Sequence, residues 1–201
     1  MYKYPISAIV LAAGSSKRMG KTNKLLLPWK DKPLLRHVVD QILDIPVMEV
    51  IVVTGYQHAT ISSCLKGLQV RLVHNPQYHR GMTSSIQTGV RHAQPSATGY
   101  LICLSDMPLL TTEDYRHFLS HLHVERLNPR IGIPSYRGQT GNPVYFSRFF
   151  RQSILQHFHP EGCKHIVRSH PQYVRQVEMP SESVLIDIDT TEDYDRWAQC
   201  S

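Results

Sequence analysis

Ile9-Val-Leu-Ala-Ala-Gly-Ser-Ser-Lys-Arg-Met-Gly-Lys-Thr-Asn-Lys24 carries an apolar run straight into a small, cationic loop. Ile6, Ala8, Ile9, Val10 and Leu11 suit a short strand buried on both faces, as in a parallel sheet. Ala12, Ala13 and Gly14 then carry almost no side chain, so backbone N–H groups can come close to a ligand. Lys17, Arg18, Lys21 and Lys24 add the charge that a polyphosphate attracts. Strand, small loop and cations in that order read as a phosphate site.

Outward from this stretch, strand-like runs at Ile6 to Ala12, Val50 to Thr54, Val70 to His74 and Tyr100 to Leu104 alternate with helix-like segments. These fall at Leu34 to Leu43, Ala59 to Leu65 and Ser84 to His92. The βαβ succession predicts an α/β fold, a doubly wound, mostly parallel, Rossmann-like sheet. Its ligands bind beyond the carboxyl ends of the strands where the order reverses. The second half predicts a helix capped at Thr111, strands near Ile131 to Pro134 and Asn142 to Phe146, and a helix after Ser147. Strands near Tyr173 to Val177 and Val184 to Ile188 come next, then a last helix after Thr191. Thr-Thr-Glu-Asp-Tyr occurs at Thr111 to Tyr115 and again at Thr190 to Tyr194, in each case with Thr three residues before Asp. That spacing starts helices and is no internal repeat. Without a long linker or low-complexity segment, residues 1–201 read as a single domain.

A hydrophobic content of 41% is enough for one good core. No run of about 18 apolar residues occurs and no secretory signal precedes the first strand, so a soluble, cytoplasmic protein with no membrane association is expected. Cys64, Cys103, Cys163 and Cys200 are scattered, as free thiols would be. The formal charge of +6 comes without a long basic run or interleaved aromatics, which argues for anionic small molecules and against nucleic acid. His121/His123 and His157/His159 lack the further ligands of a metal site and are expected on a solvated surface.

Two familiar phosphate loops do not fit. A Walker A loop has four residues between its first glycine and Gly-Lys-Ser/Thr, whereas five separate Gly14 from Gly20-Lys21-Thr22. No G-x-G-x-x-G follows the strand, so the dinucleotide fingerprint is missing. The segment instead resembles the L-A-x-G-x-S-x-R-M-G-x-x-K signature of MobA-like nucleotidyltransferases, and within them the molybdenum cofactor cytidylyltransferases. Gly81-Met-Thr-Ser-Ser-Ile86 with Gly89, Asp106-Met-Pro108, Gly141-Asn-Pro-Val-Tyr-Phe146 and Asp187-Ile-Asp-Thr-Thr-Glu-Asp-Tyr194 extend the resemblance in family order over most of the chain.

The resemblance implies a fold of the nucleotide-diphospho-sugar transferase type. It also implies transfer of CMP from CTP to the phosphate of a molybdopterin-type cofactor, with Mg²⁺ and release of pyrophosphate. Every participant is negative, so such a protein works by positioning and charge neutralisation. Asp106, emerging from the buried Leu101-Ile-Cys-Leu104 strand, is the best metal ligand, and Asp187 or Asp189 is a second. By resemblance Arg18 holds the departing β- and γ-phosphates and Lys24 lies nearer the α-phosphate. Leu11, Ala12, Ala13, Gly14, Asn75, Gly81, Ser84 and Ser85 are the expected nucleotide contacts. Ser84 and Ser85 open a helix, where Ser84 can equally be an N-cap. Tyr136 to Gly141 and Phe158 to Ser169 frame the acceptor side by resemblance.

Relatives often carry Gly-Asp-x-Gly-Ala-Arg near the equivalent of Pro160-Glu-Gly-Cys-Lys164, and Pro160 and Lys164 replace its Asp and Arg here. That departure supports a second reading, a non-catalytic module that hands the cofactor to a molybdoenzyme or insertion chaperone. Transfer to a sugar phosphate stands beside the first reading within the same chemistry, and a P-loop phosphotransferase stands there because the hydrophobic run before Asp106 also resembles a Walker B strand.

Overall fold

The computed structural model describes residues 3–16, 19, 22–124 and 128–198. Strand β1 (Tyr4–Ala12) leads through the loop and a 3-10 turn at Lys24–Leu26 to a small hairpin of β2 (Pro28–Trp29) and β3 (Lys32–Pro33). Then come α1 (Leu34–Leu43), β4 (Val47–Thr54), α2 (His58–Cys64), β5 (Arg71–His74), α3 (Met82–His92) and β6 (Gly99–Leu104). The second half contributes α4 (Thr112–Ser120), β7 (Ile131–Tyr136), β8 (Gln139–Thr140), β9 (Val144–Ser147), α5 (Arg151–Gln156), α6 (Lys164–Ser169), β10 (Val174–Glu178) and α7 (Thr191–Ala198).

The main sheet runs β10-β7-β9-β6-β1-β4-β5, with β8 on β7. Its pairs β6/β1, β1/β4, β4/β5 and β7/β10 are parallel, and β9 is antiparallel to both neighbours. Alternation along the strands divides the apolar side chains between two cores. Ala8, Val10 and Ala12 of β1 and Val50 and Val52 of β4 join α1 and α4 on one face. Ile9, Ile51 and Val53 join α3, α5 and α6 on the other. Layers on both faces explain why β1 reads as a continuous apolar run. The expected doubly wound, mostly parallel sheet is present.

From β1 the chain builds outward to β4 and β5, then crosses to add β6 on the other side. The loops after β1 and β6 therefore diverge and leave a crevice. Three expectations need correction. Val184 to Ile188 form no strand: Glu182–Leu185 is a 3-10 turn and residues 186–189 lie outside the sheet. The apolar Val184 and Ile188 are inaccessible because they pack into the first core, and a short apolar run does not distinguish that from strand pairing. Helix α3 begins at Met82, with Gly81 at its N-cap and no side-chain cap bond, so Ser84 is not the N-cap. Hairpin β2–β3 and helix α6 were not anticipated. Among the described residues no helix is long and apolar enough to cross a membrane, and Cys64, Cys103 and Cys163 are free thiols.

Candidate active site

A cavity of about 720 Å³ opens at the carboxyl ends of β1 and β6. Leu11, Ala13 and Gly14 supply one side, Ser105 and Asp106 the floor, and Gly81, Met82 and Ser85 the opposite rim. A β-carbon placed on Gly14 would meet nothing within 4 Å, so the backbone is exposed to an incoming group. Gly81 adopts φ +98°, a conformation that favours glycine, and turns the chain into α3.

Charge gathers on the floor. Lys24, on its 3-10 turn, places Nζ 2.6 Å from Asp106 Oδ2 and 2.7 Å from Asp189 Oδ1. Carboxylate oxygens of Asp106, Asp187 and Asp189 lie within 4.8 Å of one another. Burial disfavours the Lys24 ammonium, but Asp106 and then Asp189 outweigh it and raise the pKa above its ordinary value. Burial, with Asp189 and Asp106 as like charges, raises the Asp187 pKa. The remaining Asp106 oxygen, Oδ1, is buried without a hydrogen-bond partner among the described residues. An orphaned buried oxygen beside two further carboxylates suits a hard divalent cation, which prefers oxygen ligands.

Each carboxylate is placed by local chemistry. The Ser105 hydroxyl donates to Leu11 O at 2.6 Å, tying the end of β6 to that of β1. Ile188 N donates to Asp106 O at 2.8 Å, which draws the 186–189 segment across the sheet end. That segment is anchored upstream by Asn142 N, which donates to Val184 O at 2.9 Å. Any side chain on Gly141 would collide with the same carbonyl, so glycine permits this approach. Downstream, Asp193 Oδ2 accepts from Asp189 N, Thr190 N and the Thr190 hydroxyl. Both Asp187 and Asp189 reach the cavity, as alternation along an extended segment requires.

Of the anticipated residues, Lys24, Asp106, Asp187, Asp189, Leu11, Ala13, Gly14, Gly81 and Ser85 line this cavity. Arg18, with Lys17 and Lys21, lies outside the described residues. Ala12 points into the first core. Asn75 is buried behind the wall, where its amide donates to the hydroxyls of Ser84 at 2.9 Å and Ser85 at 3.1 Å. It thus sets the α3 rim without lining the cavity. The Ser84 hydroxyl donates to Gln77 O and Gly81 O and is likewise absent from the wall.

Neither acceptor segment lines the main cavity. Residues 159–162, 164, 165 and 168 border a separate recess of about 330 Å³. Thr83 joins the two regions by donating to His159 O and accepting from Gly162 N. His157 and His159 stack with centroids 6.2 Å apart, and among the described residues the aspartates form the only group placed to hold a metal. The sequence reading missed Tyr56, Tyr78 and His79 on the wall, and also Asn23 behind it. Aromatic residues spread over loops give no periodic signal, whereas Asn23 immediately before Lys24 fits a helix-start pattern.

A family model described as MobA-like NTP transferase domain matches residues 8–175. Nicotine blue oxidoreductase of Paenarthrobacter nicotinovorans is 25% identical over 195 residues, covering 93% of each chain. The bifunctional protein GlmU of Sorangium cellulosum (strain So ce56) is 33% identical over 156 residues, 74% of this chain. The match spans 32% of that longer protein. Among solved structures, a nucleotidyl transferase from Methanothermobacter thermautotroptrophicus superposes with a TM-score of 0.84 at 24% identity, covering 97% of this chain and 96% of its own.

Proposed function

The chain belongs to the MobA-like NTP transferase family, whose chemistry is nucleotidyl transfer from a nucleoside triphosphate, and we propose that it moves CMP from CTP to the phosphate of a molybdopterin-type cofactor. The observation that carries the transferase assignment is Lys24 held between Asp106 and Asp189 at the strand ends, with Asp187 beside them. An acceptor phosphate oxygen attacks the α-phosphorus, the α–β bridging bond breaks, and pyrophosphate leaves with the bond electrons. The backbone at Gly14 admits the triphosphate, and Lys24 offers a localised positive charge as negative charge crowds the α-phosphate. Arg18 is assigned to the departing phosphates, where a guanidinium can bind in bidentate fashion. Asp106, with Asp187 and Asp189, would hold Mg²⁺, which when bound neutralises triphosphate charge.

CTP is favoured by resemblance to the cytidylyl branch, since guanylyl relatives tend to carry a second glycine where Ala13, on the cavity wall and 5% exposed, has a methyl. A contact of that size is worth roughly 1–3 kcal/mol, so CTP should exceed GTP by about tenfold in kcat/KM. Ala13→Gly should narrow that gap. The deciding experiment offers each common triphosphate with Mg²⁺ and either a phosphate-bearing pterin or a sugar phosphate, and measures pyrophosphate. Release with the sugar phosphate alone reassigns the acceptor. Cofactor binding without turnover makes the protein a carrier for a molybdoenzyme or insertion chaperone, and nucleoside diphosphate release would mark a phosphotransferase. Redox turnover of nicotine blue without pyrophosphate release would place the chain with its oxidoreductase relative.

A further inference from the structure

We infer that Asn23 is the positioning residue that holds Lys24 at the carboxylates, by joining three chain segments through one buried amide. Asn23 is 4% exposed and does not line the cavity, yet Ser16, Lys24 and Leu25 around it do. Its Oδ1 accepts from Leu25 N at 3.1 Å and from the Ser16 hydroxyl at 3.3 Å. Its Nδ2 donates to Gln57 Oε1 at 3.0 Å.

The Leu25 bond caps the turn on which Lys24 sits, so it fixes the direction in which the lysine stem leaves the backbone. Leu25, itself 3% exposed, anchors the same turn in the first core. Ser16 and Gln57 both adopt left-handed backbone conformations, φ +47° and +51°. Non-glycine residues need support from their surroundings there, and Asn23 bonds to both. A plain N-cap would need only one acceptor. The amide adds a donor for the β4–α2 corner and shares its oxygen with the phosphate loop, so loop, lysine and corner are fixed together.

The inference rests on the assignment of Lys24 to the chemistry, and the test separates the two. Proton–nitrogen spectra of lysine ammonium groups should contain a slowly exchanging resonance that Lys24→Ala removes. Asn23→Ala should lose or broaden it, Asn23→Asp should retain it, and Gln57→Ala should weaken it. Aspartate keeps the cap, and the Gln57 amide can rotate to donate to it. In kinetics, Asn23→Ala should lower kcat for triphosphate turnover about ten- to a hundredfold while KM moves less than about threefold. In a Lys24→Ala background the same change should cost less than about twofold. Asp should rescue, whereas a merely structural role would lower stability without this coupling. A parental ammonium resonance in folded Asn23→Ala, or losses that multiply with those of Lys24→Ala, would overturn the inference. Should the parent release no pyrophosphate, the transferase assignment falls and the ammonium spectra still decide Asn23. Should Asn23→Ala not fold, a parental resonance and kcat in Gln57→Ala would count against it.

Discussion

Thr111-Thr-Glu-Asp-Tyr115 and Thr190-Thr-Glu-Asp-Tyr194 are the same five residues in two settings. Both open helices, and in each the aspartate accepts from the threonine N–H and hydroxyl while its own N–H donates to that hydroxyl oxygen. The settings then diverge. Asp114 and Tyr115 are buried, and Asp114 also accepts from the Ser183 hydroxyl at 3.4 Å. Asp193 is half-buried and accepts from Asp189 N instead. The residue before the first cap, Leu110, is 3% exposed in the core, whereas the residue before the second is a cavity carboxylate. One local motif therefore delivers whatever precedes it, an apolar side chain inward in one copy and a charge to the cleft in the other.

If that contrast holds, the largest effect belongs to the delivered carboxylate. Asp189→Asn, like Asp106→Asn, should lower turnover by about a thousandfold, near 4 kcal/mol of barrier, with melting changed by only a few degrees. A folded Asp189→Asn protein with parental turnover would reduce the second cap to scaffolding. Next comes stability. Asp114→Ala removes the first cap and leaves the Ser183 hydroxyl only its Ser181 partner, at about 2 kcal/mol or roughly 4–8 °C in Tm. Turnover per folded molecule should change less than about threefold. Thermal melts with active-site titration would check both numbers.

Both caps were visible in the sequence because capping is local chemistry, complete within four residues. The β1 strand and its small-residue loop were visible for the same reason, and βαβ alternation extended this to the parallel half of the sheet. The path of the chain beyond Ser181 was not legible. Val184, Leu185 and Ile186 have strand composition, yet their conformation is set by distant partners: the Asn142 N–H, the space left by Gly141, and the Asp106 carbonyl. Asn75 shows the matching limit for function. Family resemblance suggests a nucleotide contact, against which its place before Pro76 reads as ordinary turn chemistry, but only the fold reveals that its donors are spent on Ser84 and Ser85.

A smaller effect tests whether the second cap acts through Asp189. Asp193→Ala frees the Asp189 N–H and should lower kcat about tenfold, with a stability cost of about 1 kcal/mol or less because the helix end is partly solvated. Asp193→Asn keeps an acceptor oxygen and should recover most of the loss. Equal kcat in Asp193→Ala and parent would break the link between cap and carboxylate.

The smallest effect is a pH dependence of opposite sign at two aspartates six residues apart. Burial, then Asp189 and Asp106, raises the Asp187 pKa above its ordinary 3.8. A raised pKa favours folding only while the group is protonated, so this contribution is full below 3.8 and is lost as pH rises through the folded value. Asp193 is shifted down, chiefly by the Thr190 hydroxyl bond. Its contribution is present above 3.8 and is lost as pH falls through its lower folded value. Without added metal at pH 7, Asp187→Asn should therefore raise Tm, and Asp193→Asn should lower it. Both differences should shrink toward zero as the pH is brought below 3.8, the Asp187 gain disappearing first because its carboxyl takes up a proton at the higher pH. A gain for Asp187→Asn that persisted at low pH would come from packing, and the carboxylates on the cavity floor would then not be repelling one another.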